Sequence, residues 1–178
     1  MQNLYYLGFH LPSEGLSPDP KKTEATNTFP SPKTQKNLTR FVGLSSYYKR
    51  FVRGFAKIDT ALFSLFFKNV PFKWSPACEE PFFALNQALC AAPCLILVEP
   101  NDRFIITTNS SDLAIRFDIS QERNGIIHPV DFAERTLRDF EKRFPIHVKE
   151  LLALIKAIKQ ICRLLQNQEC TVYTDSRI

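Results

Sequence analysis

Three residues of this 178-residue chain stand where chemistry could be assembled: Asn109, Glu150 and Asp175. Asn109 closes the run Arg103–Thr108, Glu150 lies early in a long amphipathic run, and Asp175 follows Thr171–Thr174. Polar groups at strand ends beside a helix flank are common builders of α/β sites. Three carboxylates so placed would hold two Mg²⁺ roughly 3.5–4 Å apart and clamp the attacking and leaving oxygens of a phosphodiester. Here the set holds only two carboxylates, Glu150 and Asp175, beside a neutral amide. On residue type alone, the three positions also read as ordinary exposed polar groups.

A second feature is charge. The chain carries 23 Lys and Arg against 18 acids, a net +5, which by itself says little about partners. Between Lys33 and Lys73, however, nine basic residues (Lys33, Lys36, Arg40, Lys49, Arg50, Arg53, Lys57, Lys68, Lys73) meet one acid, Asp59. That stretch is +8 and the remainder is −3, so the excess is a local patch.

The elements that must position these groups fall into two halves. Leu4–Leu11 reads as a short strand closed by Ser13-Glu14-Gly15. Asp19 and Pro20 open a helix that Phe29-Pro30-Ser31-Pro32 stops. From Thr34, Leu38, Phe41, Val42, Ser45, Tyr48, Val52 and Phe55 keep a helical period, with two helices expected to meet near Arg53-Gly54. Tyr48 is expected in the core and Tyr47 nearer the surface. Further helices are expected over Lys57–Phe67 and from Ser75-Pro76, the latter kinked by Pro81. After Pro93 the pattern changes to strands at Arg103–Thr108, Leu113–Ser120 and Ile126–Ala133. A helix of about five turns follows, on the stripe Val148, Leu151, Leu152, Ile155, Ile158, Cys162 and Leu165, and then the strand Thr171–Thr174. The boundary is expected near Pro93–Asn101, and the fold class is α+β.

Several classes are excluded. There is no GxGxxG or GxxxxGK[ST] phosphate cradle. The five cysteines contain no CxxC, only Cys90 and Cys94 are close, and Pro93 lies between them, so they read as reduced core thiols. No signal-peptide pattern is visible, and the longest apolar runs are too short to span a bilayer. The expectation is an intracellular protein, cytoplasmic or nuclear, neither secreted nor membrane-bound.

A family resemblance sharpens this reading. Tyr6-Leu7-Gly8, Glu14 to Lys21, Phe29-Pro30-x-Pro32-Lys33-Thr34, Phe41-Val42-Gly43-Leu44-x-Ser46-Tyr47-Tyr48-x-Arg50-Phe51, Pro71-Phe72-x-Trp74 and Cys78-Glu79-Glu80 follow in order. Thr107 to Asp112, Ser120-Gln121-Glu122, Arg135-Thr136-Leu137, Lys149 to Ala153 and Thr174-Asp175 continue the series. Together they resemble the Pol polyprotein of gypsy-type LTR retrotransposons, from the end of the reverse transcriptase into the ribonuclease H domain. The resemblance implies a helical thumb and connection segment over 1–96. It implies a ribonuclease-H-like mixed sheet over 97–178, with three antiparallel strands, a helix and a fourth strand, cut short at its C-terminus. It also implies that the polymerase palm lies upstream.

The resemblance makes Glu150 and Asp175 metal carboxylates for Mg²⁺ and puts Asn109 where the family has its first catalytic aspartate. A neutral amide is a poor bridge between two cations. Ala114, Arg116 and Phe117 stand where the family has small residues and glycine, and Asp118 and Asp131 replace apolar or small residues. Lys49, Arg50, Arg53 and Tyr47 match the thumb, which grips primer–template, so they are expected to touch phosphates and sugars without reading sequence. The expectation is therefore a catalytically dead fragment that binds RNA–DNA hybrid or duplex, with other parts of a Pol polyprotein as further partners. The alternatives are a working piece of an RNA-directed DNA polymerase and ribonuclease H that uses Mg²⁺, and a non-enzymatic interaction module or eroded relic.

Overall fold

The computed structural model describes residues 4–55, 62, 65, 72–165 and 168–174. The chain divides into two compact units, Met1–Cys94 and Leu95–Ile178, and its class is α+β.

In the first unit the expected strand over Leu4–Leu11 is instead a hairpin. β1 (Leu4–Tyr6) and β2 (Phe9–Leu11) pair antiparallel with Tyr6 opposite Phe9, leaving Leu7 and Gly8 as a two-residue turn. Both turn residues have positive φ, +47° and +78°, the conformation a tight hairpin demands. β3 (Gly15–Pro18) pairs with β2.

The Asp19 carboxylate then caps α1 (Pro20–Asn27), accepting from the Lys21 N–H at 3.0 Å, as the residue order predicts. α2 (Gln35–Tyr47) starts at Thr34, whose hydroxyl accepts from the Asn37 N–H. It ends earlier than expected, at Tyr48 rather than near Arg53-Gly54. The Tyr47 and Tyr48 hydroxyls donate to the Leu7 and Gly8 carbonyls of the hairpin turn, at 2.6 and 2.7 Å. Consecutive side chains on a continuing helix diverge by about 100°, so two neighbours can reach one turn only where the helix stops.

α3 (Pro76–Cys90) runs on through Pro81. Phe29, Phe41, Phe82 and Trp74 form a chain of rings with successive centroids 5.7, 4.5 and 5.6 Å apart. Glu79 ties its start, accepting from the Trp74 indole at 2.7 Å and from the Ser31 hydroxyl at 3.0 Å. Of the helix expected over Lys57–Phe67, only Leu62 and Leu65 are among the described residues, and both are buried.

The second unit opens with β4 (Leu95–Ile96), which the sequence reading missed, followed by β5 (Arg103–Ser110), β6 (Ala114–Arg123) and β7 (Ile126–Thr136). α4 (Ile146–Ile161) and β8 (Cys170–Thr174) complete it. The strand order is β7-β6-β5-β8, antiparallel except for the parallel β5–β8 pair. Asn124-Gly125, both at positive φ, make the β6–β7 turn. From β5 onward this is the expected strand, strand, strand, helix, strand sequence.

The face α4 buries differs from the expected stripe. Ala153, Ala157 and Ile161 are buried, and Ala157 and Ile161 join Phe104, Ile106, Phe117, Ile119 and Val130 in one core. Leu151, Ile155 and Ile158 are exposed. Two alanines let the helix lie close to a sheet already filled by aromatic and branched side chains, and a leucine stripe would hold it off. The core-thiol expectation also fails in part: Cys78 is buried, but Cys90 and Cys162 are exposed, and all five cysteines are free thiols.

Candidate metal and nucleic-acid sites

β5, β8 and α4 bring part of the expected carboxylate site together. Thr108 is the parallel partner of Thr174, and the Thr174 hydroxyl donates to Glu150 Oε2 from the first turns of α4. Glu150 is thereby buried at the strand end where Asn109 follows Thr108. Asp175 lies outside the described residues.

The other neighbours of this strand end were not legible as site residues. Asn109 is the cross-strand partner of Arg116, and Arg116 of Glu134, so the three form one row over β5, β6 and β7. Strand alternation puts that row on the face opposite Thr108 and Phe117. Lys149, one residue before Glu150, is 3% exposed and donates from Nζ to Asp112 Oδ1 at 3.1 Å. That ion pair ties the β5–β6 turn to the start of α4.

The Arg135-Thr136-Leu137 motif is also structural. The Arg135 guanidinium donates two bonds to Glu141, at 2.9 and 3.1 Å, and the Arg138 N–H adds a third at 2.7 Å. Arg135 first, and then this backbone bond, hold the Glu141 carboxyl below its ordinary pKa. Leu137 packs with Ile115 and Ala153.

Of the three expected positions, the two among the described residues offer a pair of divalent cations a single carboxylate, Glu150. A bridging position needs an anionic oxygen, and position 109 offers a neutral amide whose partner on β6 is an arginine. One Glu150 oxygen already accepts the Thr174 hydroxyl. Among the described residues no three His, Cys, Asp or Glu side chains converge.

The basic patch is built from the first unit. After α2 ends, Lys49–Phe51 form a 3₁₀ turn in which Phe51 and Val52 go inward while Lys49, Arg50 and Arg53 are exposed. Lys33, Lys36, Arg40 and Lys73 are exposed too, and Lys57 and Lys68 lie outside the described residues. Tyr48 is 1% exposed and Tyr47 48%, as expected. Tyr47 is held in place from both ends, its hydroxyl on Leu7 and its ring stacked on Phe9 at 5.1 Å. No helix among the described residues is long and apolar enough to cross a membrane.

Comparison with known proteins supports the resemblance. Residues 74–172 match the RNase H-like domain found in reverse transcriptase. The chain is 31% identical over 177 residues to the retrovirus-related Pol polyprotein from transposon 412 of Drosophila melanogaster, covering 99% of this chain and 14% of the relative. It is 31% identical over 171 residues to that from transposon 297 of the same species, covering 96% and 16%. Against the transposon Tf2-3 polyprotein of Schizosaccharomyces pombe it is 24% identical over 175 residues, covering 97% and 13%. The chain thus spans about one seventh of the length of these relatives. Its fold is similar to foamy viral protease-reverse transcriptase in complex with double-stranded DNA, with a TM-score of 0.81 and 22% identity over 100% of this chain and 31% of that one. The same viral protein in complex with an RNA/DNA hybrid gives 0.80 and 22% over 99% and 24%. By these matches the chain belongs to the family of RNase H-like domains found in reverse transcriptase, among retrotransposon Pol polyproteins.

Proposed function

We propose that this chain grips the backbone of an RNA–DNA hybrid or duplex without cleaving it. Residues 1–96 act as a thumb and connection of gypsy type and 97–178 as an RNase H-like domain. The observation that carries the reading is the exposed set Lys49, Arg50 and Arg53 with Tyr47 braced beside them. Tyr47 at the end of α2, Lys49 and Arg50 in the 3₁₀ turn and Arg53 just after it offer phosphate contacts and a ring for sugar or base, without any base-reading geometry. The solved reverse transcriptases of this fold hold such nucleic acids, which supports the choice of partner.

Domains of this family generally use divalent metals, and the loss of cleavage follows from position 109. The competing reading, a working piece of a polymerase and ribonuclease H that cuts RNA with Mg²⁺, draws on Glu150 and Asp175. The test is binding of a labelled hybrid across a salt series. Each neutralised phosphate contributes a slope of about −0.9 in log K against log salt. Changing Lys49, Arg50 and Arg53 to Gln together should flatten the slope by about 2–3. Binding that ignores salt, or survives the triple change, refutes the grip.

A further inference from the structure

We infer that the loop between β7 and α4, residues 138–144, is a nucleic-acid backbone contact of the second unit, with Arg138 and Arg143 as its cations and Phe140 as its ring. This rests on the proposed grip and extends it beyond the basic turn of the first unit. Both flanks of the loop are pinned to the β5–β6 turn. The Leu137 N–H donates to the Leu113 carbonyl at 2.7 Å, and Lys149 Nζ donates to Asp112 at 3.1 Å. The loop therefore stands at the end of the sheet where β5 stops and α4 begins. Its backbone is tightly wound: the Arg138 carbonyl accepts from the Glu141 and Lys142 N–H groups at 2.9 and 3.1 Å.

The loop sorts its charges. Glu141 is turned inward, 7% exposed, and takes two bonds from Arg135 and one from the Arg138 N–H. Asp139 is matched by Lys142 at 2.8 Å. Arg138 and Arg143 stay exposed, and among the described residues neither guanidinium has an ion pair or a hydrogen bond. Arg138 feels the Glu141 charge, which Arg135 already offsets. Phe140 is 56% exposed, its ring T-shaped to Phe144 with centroids 6.0 Å apart. A guanidinium presents a planar fork of donors that matches two phosphate oxygens, and its charge does not titrate away. An exposed ring beside it gives a sugar or base a surface to stack on.

The test is the anisotropy of a labelled RNA–DNA hybrid with the full chain across a salt series, with thermal melts to verify folding. Arg138→Gln with Arg143→Gln should weaken binding several-fold and flatten the salt slope by about 2. Phe140→Ala should weaken binding with the slope unchanged, because stacking releases no counterions. The control is Lys159→Gln with Arg163→Gln, which removes the same charge from exposed positions at the other end of α4. That end is about 20 Å away at 1.5 Å per residue, beyond the screening length of about 8–10 Å, so binding should barely change. If the two double changes weaken binding equally, the loop makes no contact and the inference falls. If the loop change has no effect while the Lys49, Arg50 and Arg53 change weakens binding, the grip stands and the loop falls. If the loop change alone weakens binding, the loop stands and the first-unit grip falls. A natural chain that binds no hybrid overturns both.

Discussion

Replacing Tyr48 by Phe isolates one hydrogen bond at the centre of the first unit. The Tyr48 ring is 1% exposed and its hydroxyl donates to the Gly8 carbonyl at 2.7 Å. That carbonyl also accepts from the Asp19 N–H at 3.0 Å, so it is not orphaned when the hydroxyl goes. The cost is then the net worth of one hydrogen bond, about 0.5–1.5 kcal/mol, rather than that bond plus an unsatisfied buried group. Tyr48→Ala, which empties the ring's site, should cost about 3–5 kcal/mol. The phenol adds a pH signature. Burial first, and then Tyr47 and Asp19, push its pKa up from 10.0. The unfolded chain therefore loses this proton first, and the stability tied to the hydroxyl is present below pH 10 and declines as pH rises towards the folded value. Urea unfolding of both proteins at neutral and strongly alkaline pH should show the gap between them narrowing in alkali. A gap that stays constant, or a Phe variant 3 kcal/mol or more less stable at neutral pH, refutes the reasoning.

Other outcomes follow from the same structure. Gly8→Ala should destabilise by about 1–2 kcal/mol, because φ is +78° and a Cβ would meet the Tyr48 hydroxyl at 2.9 Å. Leu7→Asn, at φ +47° and well exposed, should stabilise by some tenths of a kcal/mol, and both are read by thermal melts. Glu141→Gln should flatten the acid limb of the stability curve, because a carboxyl with a lowered pKa contributes above its unfolded value and loses that contribution as pH falls through the folded one. Gln121→Leu should cost about 1–3 kcal/mol in chemical denaturation, since the buried amide serves the Glu99 N–H and the Glu99 and Asp102 carbonyls.

The order of elements from β5 onward was legible because three period-2 strands give way to one period-3.6 helix, while β4, two residues long, is too short to show a period. The face of α4 was not, because leucines and isoleucines dominate any periodicity count while small alanines decide which side can approach a filled sheet. The β1–β2 hairpin was hidden because a leucine at positive φ is not a usual turn residue, and Gly8 is the single cue. Asn109 and Glu150 could be picked out by their places at a strand end and a helix start. The contacts of Thr174 and Lys149 depend on strand register and helix docking, which no local pattern carries.

The most direct measurement is Mg²⁺-dependent cleavage of the RNA strand in a labelled RNA–DNA hybrid by the natural chain, with binding followed in the same samples. The account predicts salt-dependent binding and an intact RNA strand, because position 109 supplies no bridging carboxylate. Cleavage that requires Mg²⁺ and disappears on Glu150→Gln would contradict it.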